Sequence, residues 1–366
     1  MKNNILINTF KQKLSFLGWF YIIVVSICAV FAYLISPDNS PNANDIQLAL
    51  AFKKPMTEAK FFKEKIDKEI HSGFFENAIF GEEKNYHLIP LKNYSKTKDS
   101  LFIEEYFGEN ISLRQAAITS YAWKDLGLKN ENQFTEKEFI TSQKYYLGTD
   151  RYGRDMFSRM LIGARVSLFI GIFSVIISLV IGTFVGAYAG YYGGKVDKVL
   201  MWIMNVIWSL PSLLLVIALS VAIGKGFYQI FIAIGLTMWV DVARIVRGQF
   251  LSLRHKEYVE SAKLFGISDF RIMFKHIMPN IYSSLIVIAT SNFATAILLE
   301  AGLSFLGLGI SAPVPSWGNM IKEHYSYIVF DTYYLAIIPG LAIMFLVMSV
   351  NFIGNALRDV IDIQQN

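Results

Sequence analysis

The chain has 366 residues, of which 54% are hydrophobic, 15% aromatic and only 17% charged. That balance lies outside the usual soluble range and favours an integral membrane protein. A net charge of +5 without a basic domain interleaved with aromatics gives no support to nucleic-acid binding, and one cysteine, Cys28, excludes a disulfide framework or a metal–thiolate site.

A helix needs about 20 apolar residues to cross the ~30 Å hydrocarbon layer. Six stretches meet that length: about 14–35, 166–191, 199–223, 227–246, 285–309 and 334–353. The first lacks a small-residue cleavage site and reads as a retained anchor. Residues 37–146 then form a long polar insertion. Within it, 56–70 has helical spacing, and Thr135-Glu136-Lys137-Glu138 looks like a capping box opening a helix toward Tyr146. Stretches 86–91 and 101–106 could pair as strands. About 110 residues can bury a modest core, so a small mixed domain and an irregular loop packed on the membrane part both stay open. His71 and His87 are single histidines without ligand partners at usable spacing.

After the insertion comes Leu147-Gly148-Thr149-Asp150-Arg151-Tyr152-Gly153-Arg154-Asp155-Met156-Phe157-Ser158-Arg159. A helix from Asp155 places Met156, Met160 and Gly163 on one side with Arg159 turned away, as an interfacial helix would lie before the chain enters the bilayer. Span two carries Gly182, Gly186 and Gly190 at every fourth position, a spacing that lets helices approach closely. Pro211 should bend span three. Asp241 and Arg244, three apart in span four, are placed to neutralise each other. Glu300 lies inside an apolar span, where a carboxylate costs at least ~2.5 kcal/mol, so it reads as a pathway residue or as a polar packing contact.

Lysine and arginine near the span ends set orientation. Lys2, Lys11 and Lys13, Lys195 and Lys198, the run from Arg244 to Lys275, and Arg358 fall on one side of a six-span chain. Both termini are therefore expected in the cytoplasm. Arg151, Arg154, Arg159 and Arg165 run against that rule, and Asp150 and Asp155 offset only part of their charge.

Between spans four and five lies a basic loop, 247–283, containing EYVESAKLFGISDFRIMFKHIMPN. It reads as a helix from Glu257 to Phe265, a break at Gly266, and a second short helix stopped at Pro279. A mere connector has no need of such a unit.

The loop resembles the EAA loop of ABC-importer permeases through Glu257, Glu260, Ser261, Ala262, Gly266 and Pro279. Ser261 stands where Ala is usual. The string with Gly148, Thr149, Asp150, Gly153, Arg154, Asp155, Ser158 and Arg159 resembles the longer signature of peptide-importer permeases. WVDVARIVRGQFLSL, LEAGLSFLGLG and NFIGNALRD are similar to further stretches of that family, so the likeness covers about 147–362. It implies an all-α membrane protein of the type I importer permease fold with six transmembrane helices. The external polar insertion, read from the apolar lengths and the charge rule, is much longer than that family's usual external loop, and the resemblance says nothing about its role. The chain's divisions would be 1–36 (first span), 37–146 (external) and 147–366 (five-helix core). The resemblance further implies the "C" partner of a dipeptide or oligopeptide importer in a bacterial cytoplasmic membrane. Its partners would be a homologous second permease, two ABC ATPase subunits and a periplasmic or lipid-anchored solute-binding protein. ATP and Mg would be bound by the ATPase partners. No G-x-x-x-x-G-K-[ST] phosphate loop is present in this chain, and no catalytic residue or metal site is expected. Nickel chelates, glutathione or a peptide antibiotic are alternative cargoes. A secondary transporter should display inverted repeats, and a membrane-anchored sensor would place its work in 37–146.

Overall fold

The computed structural model describes residue 9 and residues 12–66, 73–108, 118–224 and 226–365. Lys2, Lys11, His71 and the end of the expected 56–70 helix lie outside the described residues. Five helices are long and apolar enough to cross a membrane: α1 (Lys13–Val30), α5 (Met156–Tyr192), α8 (Phe227–Leu253), α10 (Asp269–Phe305) and α12 (Tyr334–Gln365). A bent pair, α6 (Gly194–Trp208) and α7 (Ser212–Ile223), meets the same test as one unit, with 93° between its halves. The bend falls where Pro211, lacking an N–H, cannot continue the helix. It breaks span three rather than merely curving it.

The insertion corrects the all-α expectation. Between α2 (Ala32–Ile35) and α5 lie β1 (Thr57–Lys65), α3 (Phe74–Phe80), β2 (Tyr86–Lys96), β3 (Ser100–Glu105), β4 (Ile118–Ala122), α4 (Glu136–Phe139) and β5 (Ile140–Tyr145). The strands form one antiparallel sheet in the order β4-β3-β2-β1-β5. The expected pairing of 86–91 with 101–106 is there, within β2 and β3. The expected helix over 56–70 is not. Phe61 and Phe62 are both buried, but Phe62 packs with Leu101, Ile103, Trp123 and Phe139 while Phe61 packs with Leu50 and Tyr145. Adjacent side chains serving opposite faces need a strand's period of two. The partner strand β5 lies about eighty residues on, beyond the reach of any local pattern. At Thr135 the helix runs four residues and the threonine side chain makes no cap bond, because the chain turns at once into β5.

Helix α5 is 37 residues long, about 55 Å at 1.5 Å per residue. The separate interfacial helix expected at Asp155 is instead its first turns. Helices α5 and α8 run side by side and parallel. A Cβ at Gly182 would come 2.5 Å from the Trp239 carbonyl, at Gly186 2.8 Å from Val246 Cβ, and at Gly190 2.5 Å from Phe250 Cβ. The glycines thus pack span two on span four of the same chain. Phe227, opening α8, packs beside Phe169 with ring centroids 5.4 Å apart and the rings tilted by 39°. The bent pair therefore carries the chain back from the level of Tyr192 to that of Phe169, about 35 Å. Helix α10 antiparallels α5, with Asn292 bonded to Ser178. Helix α12 packs on α1, where Tyr21 donates to the Ala342 carbonyl.

Candidate functional site: an elbow and a clasp at opposite ends

At one end of the bundle, helix α9 (Glu257–Leu264) follows α8. Glu257 and Glu260 stand in its first turn and Lys263 in its last, each complementing the helix dipole. The chain then turns through Gly266 at φ 69°, in the left-handed region where glycine carries no Cβ penalty. Ile267 N–H donates to the Ala262 carbonyl (3.2 Å) and Gly266 N–H to that of Lys263 (3.0 Å). These two bonds make a Schellman corner, and Ala262 and Ile267 close it by packing in one apolar cluster. Nothing lies within 4 Å of a Cβ added at Gly266, so the glycine is there for its backbone angle alone.

This elbow is fastened to three helices. Val259 and Ala262 pack with Tyr191 of α5, with Val246 and Phe250 of α8, and with Ile277 and Ile281 of α10. Tyr191 donates to Asp269 at 2.6 Å, Lys263 lies 5.0 Å over the Tyr191 ring, and Asn280 donates to Tyr258 at 3.2 Å. Outward, the elbow presents Leu264 and Phe265, 89% and 84% exposed, beside exposed Glu257, Glu260 and Ser261. Two large apolar side chains held in water forgo about 1.5–3 kcal/mol each relative to burial. Of the residues singled out, Ala262 faces the bundle and Pro279 is exposed. Pro279 does not stop a helix. It occupies the first turn of the α-helical part of α10, just after a π-helical stretch, Ile272–Ile277, and the helix runs on to Phe305. A proline there forfeits little, because first-turn N–H groups lack α-helical partners.

At the other end, the signature segment forms a buried clasp. Gly148 and Gly153, both at φ 75°, frame a turn whose backbone meets the strand-side chain: Thr149 N–H donates to the Lys53 carbonyl, and Gln47 N–H to that of Tyr152. Asp150 accepts from the backbone of Tyr152 (2.8 Å) and Arg154 (3.0 Å) and from Arg154 Nε (2.6 Å). Asp155 caps α5 through Ser158 N–H at 2.9 Å. Ser158 Oγ in turn accepts from Asp38 N–H, which ties in the end of span one. Glu323 of α11 (Trp317–His324) receives Arg154 Nη2 at 2.8 Å and Arg159 Nη2 at 3.3 Å. Arg159 is 1% exposed, so it is buried and not turned away. Arg165 donates to the carbonyls of Ala29, Val30 and Ile79. Arg154, Arg159 and Arg165 are therefore structural rather than free loop charges. Asp150, Glu323 and His324 offer ligand atoms within 4.8 Å of one another, but the guanidiniums take both carboxylates, which leaves an ion-pair network. Burial pushes the Asp155 carboxyl up to about 6 and the His324 imidazole down.

Two polar residues of the spans differ from expectation or narrow it. Glu300 is fully buried, accepting from Ser304 (2.8 Å) and Ser316 (2.7 Å), which is the packing arrangement of the two considered. Arg244 does not pair with Asp241. It donates to Asn205 at 2.8 Å and stacks 4.2 Å over Trp208. Sequence reasoning passed over Glu323 and His324, neither of which stands in a motif; Asn205 had no signal either.

Several long apolar helices, bundled around glycine-tight contacts and carrying a rigid elbow at one end, mark an integral membrane protein. Residues 182–363 match the family model described as "Binding-protein-dependent transport system inner membrane component", and the chain belongs to that family. It is similar to the oligopeptide transport system permease protein OppC of Bacillus subtilis, 41% identical over 221 residues, which are 60% of this chain and 72% of that one. OppC of Escherichia coli K12 is 44% identical over 218 residues (60% and 72%). The glutathione transport system permease GsiD of Pectobacterium atrosepticum is 42% identical over 221 residues (60% and 73%). A chain from inward-facing crystals of the MetNI methionine ABC transporter matches over 55% of this chain and 96% of its own at 21% identity, with a TM-score of 0.45. The chain is a permease subunit of an ABC importer, and not itself an enzyme.

Proposed function

We propose that this permease moves di- or oligopeptides, sharing a path with a second, homologous permease and driven by two separate ATP-hydrolysing subunits that dock on the elbow. A solute-binding protein, periplasmic or lipid-anchored, delivers cargo at the opposite face; ATP and Mg stay on the motor subunits. The elbow's solvent-facing Leu264 and Phe265 carry this reading. A part that transmits force needs a rigid helix, a fixed corner and attachment to several spans, and the elbow has all three. Glu257, Glu260 and Ser261 would meet the motor, Ala262 and Gly266 would hold the shape, and Pro279 would open the helix that receives the push. Closure of the motor pair then rocks the bundle between two access states, each favoured by different contacts.

Six crossings follow if the bent pair counts as one, and the return of about 35 Å between parallel α5 and α8, roughly a bilayer's thickness, supports that count. The basic residues then favour a cytoplasmic elbow with both termini beside it, and an external 37–146 between the first span (1–36) and the five-helix core (147–366). The peptide cargo rests on what the related permeases are named for. The test is co-purification of the ATPase subunits with Glu260→Lys and Gly266→Pro variants. Both should insert in the membrane normally and lose the ATPases; full recovery of the complex in both would overturn the docking role.

A further inference from the structure

Arg165 holds the ends of two helices with one guanidinium. Its Nε and Nη2 donate to the carbonyls of Ala29 (2.8 Å) and Val30 (2.9 Å), in the last turn of α1. Its Nη1 and Nη2 donate to those of Ile79 (2.7 Å) and Ala78 (3.3 Å), in the last turn of α3. Last-turn carbonyls lack helical partners and carry the negative end of the dipole, so one cation satisfies both ends. Gly81 fastens the turn that follows. At its φ of 89° a Cβ would come 2.9 Å from the Tyr33 ring and from the Asn39 carbonyl, which also accepts from Glu82 N–H at 2.8 Å. Between β1 and β2, therefore, the insertion reaches back to the end of span one and is bound there.

That contact fixes a depth. The apolar stretch of span two starts at 166, which puts Arg165 at its edge. The stretch of span one runs to 35, five residues or about 8 Å past Val30. The last turn of α3 is thus level with the boundary of the hydrocarbon layer. Span one exposes Val30, Phe31, Leu34 and Ile35 at that level, and α3 exposes Ile79 and Phe80, at 56% and 67%. Span one is also the least enclosed of the five long helices, with 22% of its apolar window buried. Its outward side faces lipid, so lipid already reaches the place where the α3 tip stands. Glu76, exposed one turn before Phe80, lies about 6 Å back along the helix. A carboxylate is costly in hydrocarbon, which keeps Glu76 among the headgroups and makes the dip a shallow one.

We propose that Ile79 and Phe80 form an anchor seated in the leaflet on the clasp side of the bundle, with phospholipid as its partner. The insertion is then held to the bilayer at a second point, apart from its attachment at the clasp. Apolar side chains at a helix end gain by entering the boundary between headgroups and acyl chains, and two of them suffice for a tip already fixed at that level. This goes beyond the importer reading and does not depend on it.

The test reads depth by spin-label collision, with the assembled transporter in phosphatidylglycerol–phosphatidylcholine nanodiscs. Cys28 is the chain's one cysteine, so Cys28→Ser gives a clean background for a nitroxide on Phe80→Cys. Two references are labelled in the same way: Leu34→Cys on span one, and Lys124→Cys, exposed beyond β4 at the far edge of the sheet. Molecular oxygen concentrates in the bilayer, and a neutral nickel chelate concentrates in water. Oxygen should be the stronger relaxant at Phe80, as at Leu34, and nickel the stronger at Lys124, so the ratio inverts within one insertion. Ile79→Cys should give the same inversion and serves if the cysteine at 80 prevents assembly. A ratio at the tip matching that of Lys124 would overturn the proposal, because the tip would stand in water. Exclusion of both relaxants would overturn it as well, because another protein chain would then cover the tip.

Discussion

The elbow and the clasp use charge in opposite ways. At the clasp, Asp150, Arg154, Arg159 and Glu323 are withdrawn from water and paired with one another, while Arg159 Nε and Nη1 find no hydrogen-bond partner among the described residues. At the elbow, Glu257, Glu260 and Lys263 stay in water while apolar Leu264 and Phe265 are held out among them. Buried ion pairs of this kind give little net stability but are costly to break, which suits a joint that must keep one geometry. An apolar tip with a charged surround suits a surface covered only part of the time. One end is built to stay closed within the chain, the other to be completed by something else.

The largest expected effect is at the clasp. Glu323→Ala leaves Arg154 and Arg159 buried with a single carboxylate, and should destabilise the protein by about 3–5 kcal/mol. Loss of the monodisperse fraction on heating in detergent measures it; an unchanged midpoint would mean the network is ornamental. Next, Leu264→Asp with Phe265→Asp should leave the melting midpoint unaltered, since both side chains are exposed, yet reduce ATPase co-purification at least about tenfold, the loss of two buried apolar anchors. A fall in the midpoint would show that these residues pack within the chain.

Gly266→Ala places a Cβ at φ 69° with open space around it, so strain of about 1–2 kcal/mol is its whole cost. Partial loss of the ATPases with little change in stability is expected, and Gly266→Asn, more at ease in that region, should lose less. A pH effect belongs to the clasp. Burial raises Asp155 to about 6, above the ~3.9 of an unfolded aspartate. Between those values the folded state binds the extra proton, so this contribution is full below about pH 4 and fades as pH rises through 6. The melting difference between wild type and Asp155→Asn should therefore drift toward the variant between pH 4.5 and 7; a constant difference would contradict it.

The two regions also differ in how far they could be read from the chain. The elbow was legible because its parts are local: acidic residues opening a helix, a glycine closing it, all within ten positions. Pro279 was misjudged since a π-helical turn before it is invisible to residue preference. In the clasp the motif was visible but its meaning was not. Arg159 looked like a surface charge because its acceptor, Glu323, lies 164 residues away. The insertion failed for the same reason at Phe61 and Phe62, whose strand is dictated by distant neighbours. Asp241 and Arg244 went wrong in a different sense: the spacing permitted a pair, and Asn205 with Trp208 offered the arginine a better one.

Everything functional turns on which side of the membrane the elbow meets its driver. The direct measurement places a single cysteine at Leu264, in a Cys28→Ser chain, and treats intact cells and inverted vesicles with a membrane-impermeant maleimide. The account expects labelling in inverted vesicles alone, blocked when the ATPase subunits are bound. Labelling of intact cells would put the tip outside, out of reach of any ATP-driven partner, and would contradict it.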